Sequence, residues 1–238
     1  MQKVIEIKDV VKVYKKNHFF KTKKTTALNG FSLLVNAADI YCLLGLNGAG
    51  KTTTVKLILN LIFPDSGSIK ILGKKPSPEV ISRIGYVSES PYLFPYLTGG
   101  ELLDLMGILS GLSSGKRAER IEEIKKFLAI ESFLDRKIKE YSKGMQQRIL
   151  LAQALLHDPD ILIMDEPYSG LDPVGISQMR GFIKTLNSSG KTILMTSHLI
   201  TETEKIATRA GIIKEGKLVK EIEVGKCSLE KEFLEAVL

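Results

Sequence analysis

The sequence predicts an α/β fold: a mixed, largely parallel sheet, an antiparallel β region at the N-terminus and an inserted α-helical region. Three observations carry this prediction. Short apolar runs such as Ile40–Leu44 and Ile161–Met164 have the length and composition of buried strands. The run at Ile40 leads into a glycine-rich turn and then into Val55, Ile58, Leu59 and Ile62, spaced as one face of a helix. Residues from about 90 to 157 hold helical periodicity in successive stretches.

Each element follows from its own pattern. Ile5 and Ile7 alternate with charged residues, and Val11 and Val13 do so again, as half-buried strands do. KKNHFFKTKK, Lys15 to Lys24, lacks that alternation and reads as a loop. Strand character resumes in FSLLV at Phe31 and IYCLL at Ile40. Pro64, Asp65 and Gly67 close the helical unit that follows the glycines. SIKILG and RIGYVS read as strands, and ELLDLMGILSGL, KRAERIEEIKKFLAI and GMQQRILLAQALLH as helices. DILIMDEP and KTILMTSH return to buried strand, and AGIIKEGKLVKEIEV reads as a hairpin turning at Glu215-Gly216. A single domain over 1–238 is expected, with a core of about 1–88 and 158–238 and a helical subdomain of about 89–157.

Composition narrows the class. The two cysteines, Cys42 and Cys227, form no spacing framework, which excludes a disulfide-built scaffold and fits a reducing, cytoplasmic setting. The N-terminus has no apolar block of signal-peptide type, and no apolar run approaches the roughly 18 residues that cross a bilayer. The net charge of +7 is concentrated: residues 1–30 hold eight lysines against Glu6 and Asp9. A solvated loop accounts for this, and so does an anionic partner, either nucleic acid or the negative face of a membrane. His18 and His157 fit no motif and are expected to be exposed.

The most informative stretch is GLNGAGKTT, Gly45 to Thr53. Gly45, Gly50, Lys51 and Thr52 satisfy G-x-x-x-x-G-K-[ST], with a strand before and a helix after. Glycines let backbone N–H groups converge on phosphate oxygens, and the helix starting near Lys51 adds its positive dipole end. Lys51 then neutralises the outer phosphates, and the Thr52 hydroxyl is placed to hold Mg²⁺. ILIMDEP supplies the acidic half: Asp165 and Glu166 stand at the C-terminal end of a buried strand, the edge where ligands bind in parallel sheets. There Asp165 suits the water shell of Mg²⁺ and Glu166 suits a general base. A helix-capping acidic pair is the plainer alternative.

GLNGAGKTT, YSKGMQQR, ILIMDEP, SGLDP and TSH occur in an order and spacing that resemble the nucleotide-binding subunit of ABC transporters, over Tyr14 to about residue 220. The resemblance implies a P-loop NTPase core, ATP with Mg²⁺, and a dimer of cassettes, identical or not, working with separate membrane-spanning permease subunits on the inner face of the cell membrane. No nucleic acid is expected as a partner. In the phosphate loop it assigns nucleotide contacts to Gly45, Asn47, Gly48, Ala49, Gly50, Lys51, Thr52 and Thr53. In YSKGM it assigns Ser142 and Gly144 to the γ-phosphate held by the other cassette, with Lys143 and Met145 departing from the family's LSGGQ. His198 matches the switch histidine that holds Glu166 and the attacking water in register. Asp172 matches the loop that communicates across the dimer, unless it is a turn aspartate before Pro173. Tyr14 matches the aromatic that stacks on adenine, unless it is a buried strand tyrosine. Glu89 stands where most of the family carry glutamine facing Mg²⁺ and the attacking water.

Three functions compete. A transport ATPase subunit, of a form that looks like exporters of small molecules, lipids or polysaccharides, uses every motif. A soluble ABC-type ATPase acting on nucleic acid or ribosomes draws only on the lysine-rich start. A GTPase or kinase lacks an N-K-x-D base-reading motif and leaves YSKGM without a role.

Overall fold

The computed structural model describes residues 2–18, 21–89 and 93–237, and for 16–18 and 21–23 the backbone alone. The chain forms two compact units. One comprises Met1–Ile81 with Thr192–Leu238, the other Ser82–Lys191.

The first unit begins with β1 (Lys3–His18) and β2 (Lys21–Asn36). With β4 (Ser66–Ile71) they make an antiparallel sheet in the order β2-β1-β4, the N-terminal β region the sequence predicts. Its register follows the alternation: Ile5 lies opposite Val35 and Ile71, Ile7 opposite Leu33 and Ile69, and all of these are buried. Within the expected loop Lys15–Lys24, the described residues 15–18 and 21–24 are instead strand. Tyr14 pairs with Thr25, Lys15 with Lys24 and Lys16 with Lys23; Phe19 and Phe20 lie outside the described residues. Once the buried pairs set the register, extending the ladder satisfies backbone N–H and C=O groups whatever the side-chain pattern.

Between β2 and β4 lie β3 (Ile40–Leu44), buried throughout, and α1 (Lys51–Ile58). The helix ends a turn before the apolar stripe does. Asn60 takes a left-handed φ of 56°, and the Leu61 and Asn60 N–H groups bond back to Lys56 O and Leu57 O at 2.9 and 3.1 Å. A short α2 (Pro78–Ile81) closes this part.

In the second unit β5 (Ile84–Val87) pairs in parallel with β6 (Ile161–Asp165). Between them run α3 (Gly99–Leu109), α4 (Ser114–Leu128) and α5 (Lys143–Leu155), in the region read as helical; α6 (Pro173–Ser188) follows β6. Thr98 and Glu101 close a capping box at the head of α3, with bonds of 3.2 and 2.7 Å. Phe133 and Tyr141 meet edge to face at 5.1 Å beneath α5. His157 is half-buried rather than exposed. Its Nε2 donates to Ile84 O at 3.1 Å, and burial lowers the imidazole pKa. The His18 side chain lies outside the description.

The chain returns to the first unit with β7 (Thr192–Ser197), α7 (Ile200–Glu204), β8 (Arg209–Lys214), β9 (Lys217–Glu223) and α8 (Leu229–Val237). There β3 lies between β7 and β8, parallel to both. β9 folds back antiparallel on β8 through Glu215 and Gly216, both at positive φ, as the sequence predicts. Among the described residues no helix is long and apolar enough to cross a membrane.

Candidate functional site

In the first unit β3 ends in the loop Gly45–Gly50, which feeds directly into α1. Two glycines there are dictated by space and backbone. A Cβ on Gly45 would come within 2.6 Å of Ile213 O on β8. Gly50, the residue before the helix, has φ of 119° and would place a Cβ 2.8 Å from Ala27 O on β2. Lys51 is only 7% exposed, and its Nζ donates to Gly45 O at 2.7 Å. An ammonium is thus held against the loop it follows. Leu46, Asn47 and Gly48 are exposed at the rim, Ala49 is buried, Thr52 is exposed and Thr53 half-buried. Thr54 is turned inward, its hydroxyl donating to Gly50 O at 3.1 Å. Backbone amides at a helix head, a lysine beside them and an outward hydroxyl form a donor set suited to phosphate and to a hard cation.

Tyr14 lies on β1 and is 39% exposed, with Lys12 Nζ 5.9 Å from its ring centroid. It is therefore not a core residue. His198 is exposed immediately after β7, and Ser197 Oγ accepts from Leu199 N at 2.9 Å in the turn that follows.

In the second unit Asp165 ends β6 and Glu166 follows it; both are buried. Glu166 has φ of 50°, a conformation that costs a non-glycine residue about 1 kcal/mol or more and is concentrated at functional sites. The capping alternative is not what holds this pair, since α6 begins only at Pro173. Tyr86 on β5 reports on the same spot. Burial, with the charges of Asp165 and Glu89, pushes its phenol up to about 12. Glu89 and Asp165 thus both lie within electrostatic range of Tyr86, and Glu89 is exposed.

Ser142 caps α5, its Oγ accepting from Met145 N at 3.3 Å, and Gly144 is half-buried in the first turn. Asp172 caps α6, accepting from Gly175 N at 2.7 Å with Pro173 as the first helical residue. Asp172 is thus a cap whatever else it does. Both helix heads line one cleft of about 530 Å³, together with Lys143, Gly170 and Arg148. Gln147 lines it too. That side chain is buried, and among the described residues neither amide atom has a partner. Sequence reasoning passed over Gln147; its signal was a polar residue one turn past a helix cap, flanked by the buried stripe Ile149, Ala152 and Leu156. Met145, one helical turn before Ile149, is only half-buried.

Residues 28–169 match the family model described as ABC transporter. The chain belongs to that family and is one of its ATPase cassettes. It is 42% identical to an uncharacterised ABC transporter ATP-binding protein of Nostoc sp., over 91% of this chain and 65% of that protein. It is 37% identical to the bacitracin transport ATP-binding protein BcrA of Enterococcus faecalis, over 95% of this chain and 71% of the relative. It is 39% identical to the Nod factor export ATP-binding protein I of Burkholderia lata, over 82% and 65%. The chain thus spans about two thirds of the length of the curated relatives it matches. Among solved structures it superposes on a dimeric bacterial ABC transporter cassette with a TM-score of 0.82 at 27% identity, covering 94% of this chain and all of that one. The same cassette is known dimeric in a post-hydrolysis state with ADP and Pi.

Proposed function

We propose that this cassette binds MgATP, hydrolyses it within a dimer of cassettes, and drives export through separate membrane-spanning subunits from the inner face of the membrane. The observation that carries the reading is Lys51. A lysine buried to 7% exposure, its ammonium held on Gly45 O at the head of a helix, is a fixed positive charge beside converging amides. Such a cluster is stabilised by a bound anion and suits a triphosphate.

The remaining residues are given the roles that the family resemblance implies. The exposed Tyr14 ring stacks on adenine. The loop from Gly45 to Thr53 cradles the phosphates. Thr52, Asp165 and Glu89 would hold Mg²⁺, which supplies neutralisation of phosphate charge. Glu166, at its unusual backbone angle, accepts a proton from the attacking water, and His198 orients that water. Ser142 and Gly144, at the head of α5, face the nucleotide of the second cassette, and Asp172 links the two sites. The stretch Glu89–Leu109 leads from the acidic residues into the helices and is the surface for the membrane subunit. Within it Phe94 and Tyr96 are exposed, Leu93 and Leu97 are half-buried, and Tyr92 lies outside the described residues. An exposed aromatic pair suits an interface. Export is supported by the relative named for Nod factor export, and the relative named for bacitracin transport is compatible with it.

Glu166→Gln tests the chemistry. An amide keeps the shape and loses the base, so MgATP should still bind while turnover falls by about 10²–10⁴-fold. The variant should elute as an ATP-dependent dimer in gel filtration. Near-normal turnover would remove Glu166 from the reaction.

A further inference from the structure

We infer that the β1–β2 hairpin docks directly on an anionic bilayer surface, separately from any permease contact. Beyond Val11 on β1 the third strand stops, and Val13–His18 against Lys21–Thr26 continue as a two-stranded ribbon. Such a ribbon is marginal in water unless something covers it. Its register sets Lys15 opposite Lys24 and Lys16 opposite Lys23, like charges in directly facing positions, which destabilise a ladder. Lys21 adds a fifth lysine, and the sequence from Val10 to Ala38 contains no carboxylate.

The lysines nearer the sheet behave otherwise. Lys3 and Lys8 pair with Glu6, and Lys12 pairs with Asp65. Among the described residues no carboxylate pairs with the exposed Lys15 or Lys24. Within the β1–β2 lysines, the described side chains without a carboxylate partner are thus those of the distal ribbon, Lys15 and Lys24.

Apolar surface at the ribbon's root selects the kind of anion. Lys12 Nζ donates to Phe63 O at 2.6 Å, and Phe63 and Leu61 are 68% and 64% exposed. A duplex nucleic-acid backbone is bound by basic surface alone and would leave the exposed Phe63 and Leu61 unused. A lipid interface takes basic and apolar groups together. ABC ATP-binding subunits work with membrane permease subunits, so a bilayer is the anionic surface such a cassette meets.

The test is cosedimentation of the whole chain with phosphatidylcholine vesicles, with and without a phosphatidylglycerol fraction of about one third. The native protein should sediment with the anionic vesicles only, and less so as salt rises. The combined substitution Lys15→Gln, Lys16→Gln, Lys21→Gln, Lys23→Gln and Lys24→Gln should weaken vesicle binding at least about 100-fold, at roughly fivefold per lysine near the surface. Its MgATP affinity should be unchanged, which separates a lipid role from a nucleotide one. Replacing the same five lysines by arginine keeps the charge and should preserve binding even if the glutamine variant folds poorly. The inference is overturned if the native chain ignores anionic vesicles or if the glutamine variant binds them as well as the native chain does. Tighter binding to a nucleic-acid duplex than to the vesicles also overturns it.

Discussion

The phosphate loop and the lysine hairpin belong to the same unit and even touch, through Ala27 and Gly50, yet they handle positive charge in opposite ways. The loop uses one lysine, buries it and bonds it to a main-chain carbonyl. The hairpin carries five and sets two pairs of them face to face. In the first case surrounding dipoles hold the charge in place. In the second, repulsion is left within the ladder. The loop lysine is held in place by the fold and offered to a bound anion; the hairpin lysines are left for a partner outside the fold.

The sharpest way to break this contrast is at Lys51. Lys51→Ala removes the one ammonium beside the converging amides, and a charge-assisted contact to phosphate of about 1.5–3 kcal/mol goes with it. MgATP affinity should fall by about 10–100-fold in isothermal titration calorimetry. The same measurement on a single hairpin lysine substitution should show no change. Equal losses at both places would mean that the two stretches serve one ligand.

The second perturbation concerns backbone rather than charge. Gly50→Ala asks a Cβ to fit 2.8 Å from Ala27 O and from Leu28 Cδ2, at φ of 119°. The strain is about 1–3 kcal/mol, and thermal denaturation should show a clearly lower midpoint. Because Ala27 and Leu28 lie on β2, the relief of that clash would displace the root of the hairpin as well as the loop. An unchanged midpoint would mean that the two stretches do not constrain each other.

Why one stretch was legible in the sequence and the other was not follows from the same contrast. At Gly45 and Gly50 the backbone leaves no room for a side chain, and Lys51 and Thr52 follow at a fixed spacing, so the residues disclose the geometry. Asp165-Glu166 after four apolar residues is legible for a similar reason: two acids at a buried strand end need a purpose. The positions of the remaining strands along the chain, and the hairpin at Glu215-Gly216, could be read from apolar runs, alternation and turn chemistry. Lys15–Lys24 offers none of these signals. Its strand is continued from Ile5 and Ile7 by pairing with β2, and only the register shows it. The stop of α1 at Ile58 was hidden likewise, because the apolar stripe ran on to Ile62 while Asn60 turned the chain. The half-buried state of His157 and the unpartnered Gln147 depend on elements brought together from far apart in the chain, β5 for the first and the head of α6 for the second. Local pattern carries no trace of such contacts.

The smallest effect is also the one that separates the two stretches most cleanly. Lys24→Glu turns a like-charge pair with Lys15 into an opposite-charge pair at the same register position. Facing opposite charges contribute about 0.2–1 kcal/mol, whereas facing like charges cost a comparable amount. The ribbon should therefore be stabilised by about 0.5–1 kcal/mol. Global unfolding is a poor probe of that gain, because a two-stranded ribbon opens locally before the sheet does. Amide exchange in the ribbon, at Tyr14 and Thr25, should slow by roughly two- to fivefold on the conversion RT of about 0.6 kcal/mol. Added salt should narrow the difference, since screening weakens the repulsion in the native chain and the attraction in the variant. Vesicle binding should move the other way and weaken. Stability and binding would then change in opposite senses at one residue, as expected where charge is kept for a partner. Faster exchange in the variant, or exchange indifferent to salt, would show that Lys15 and Lys24 do not repel, and the electrostatic case for an external anion would lose its footing.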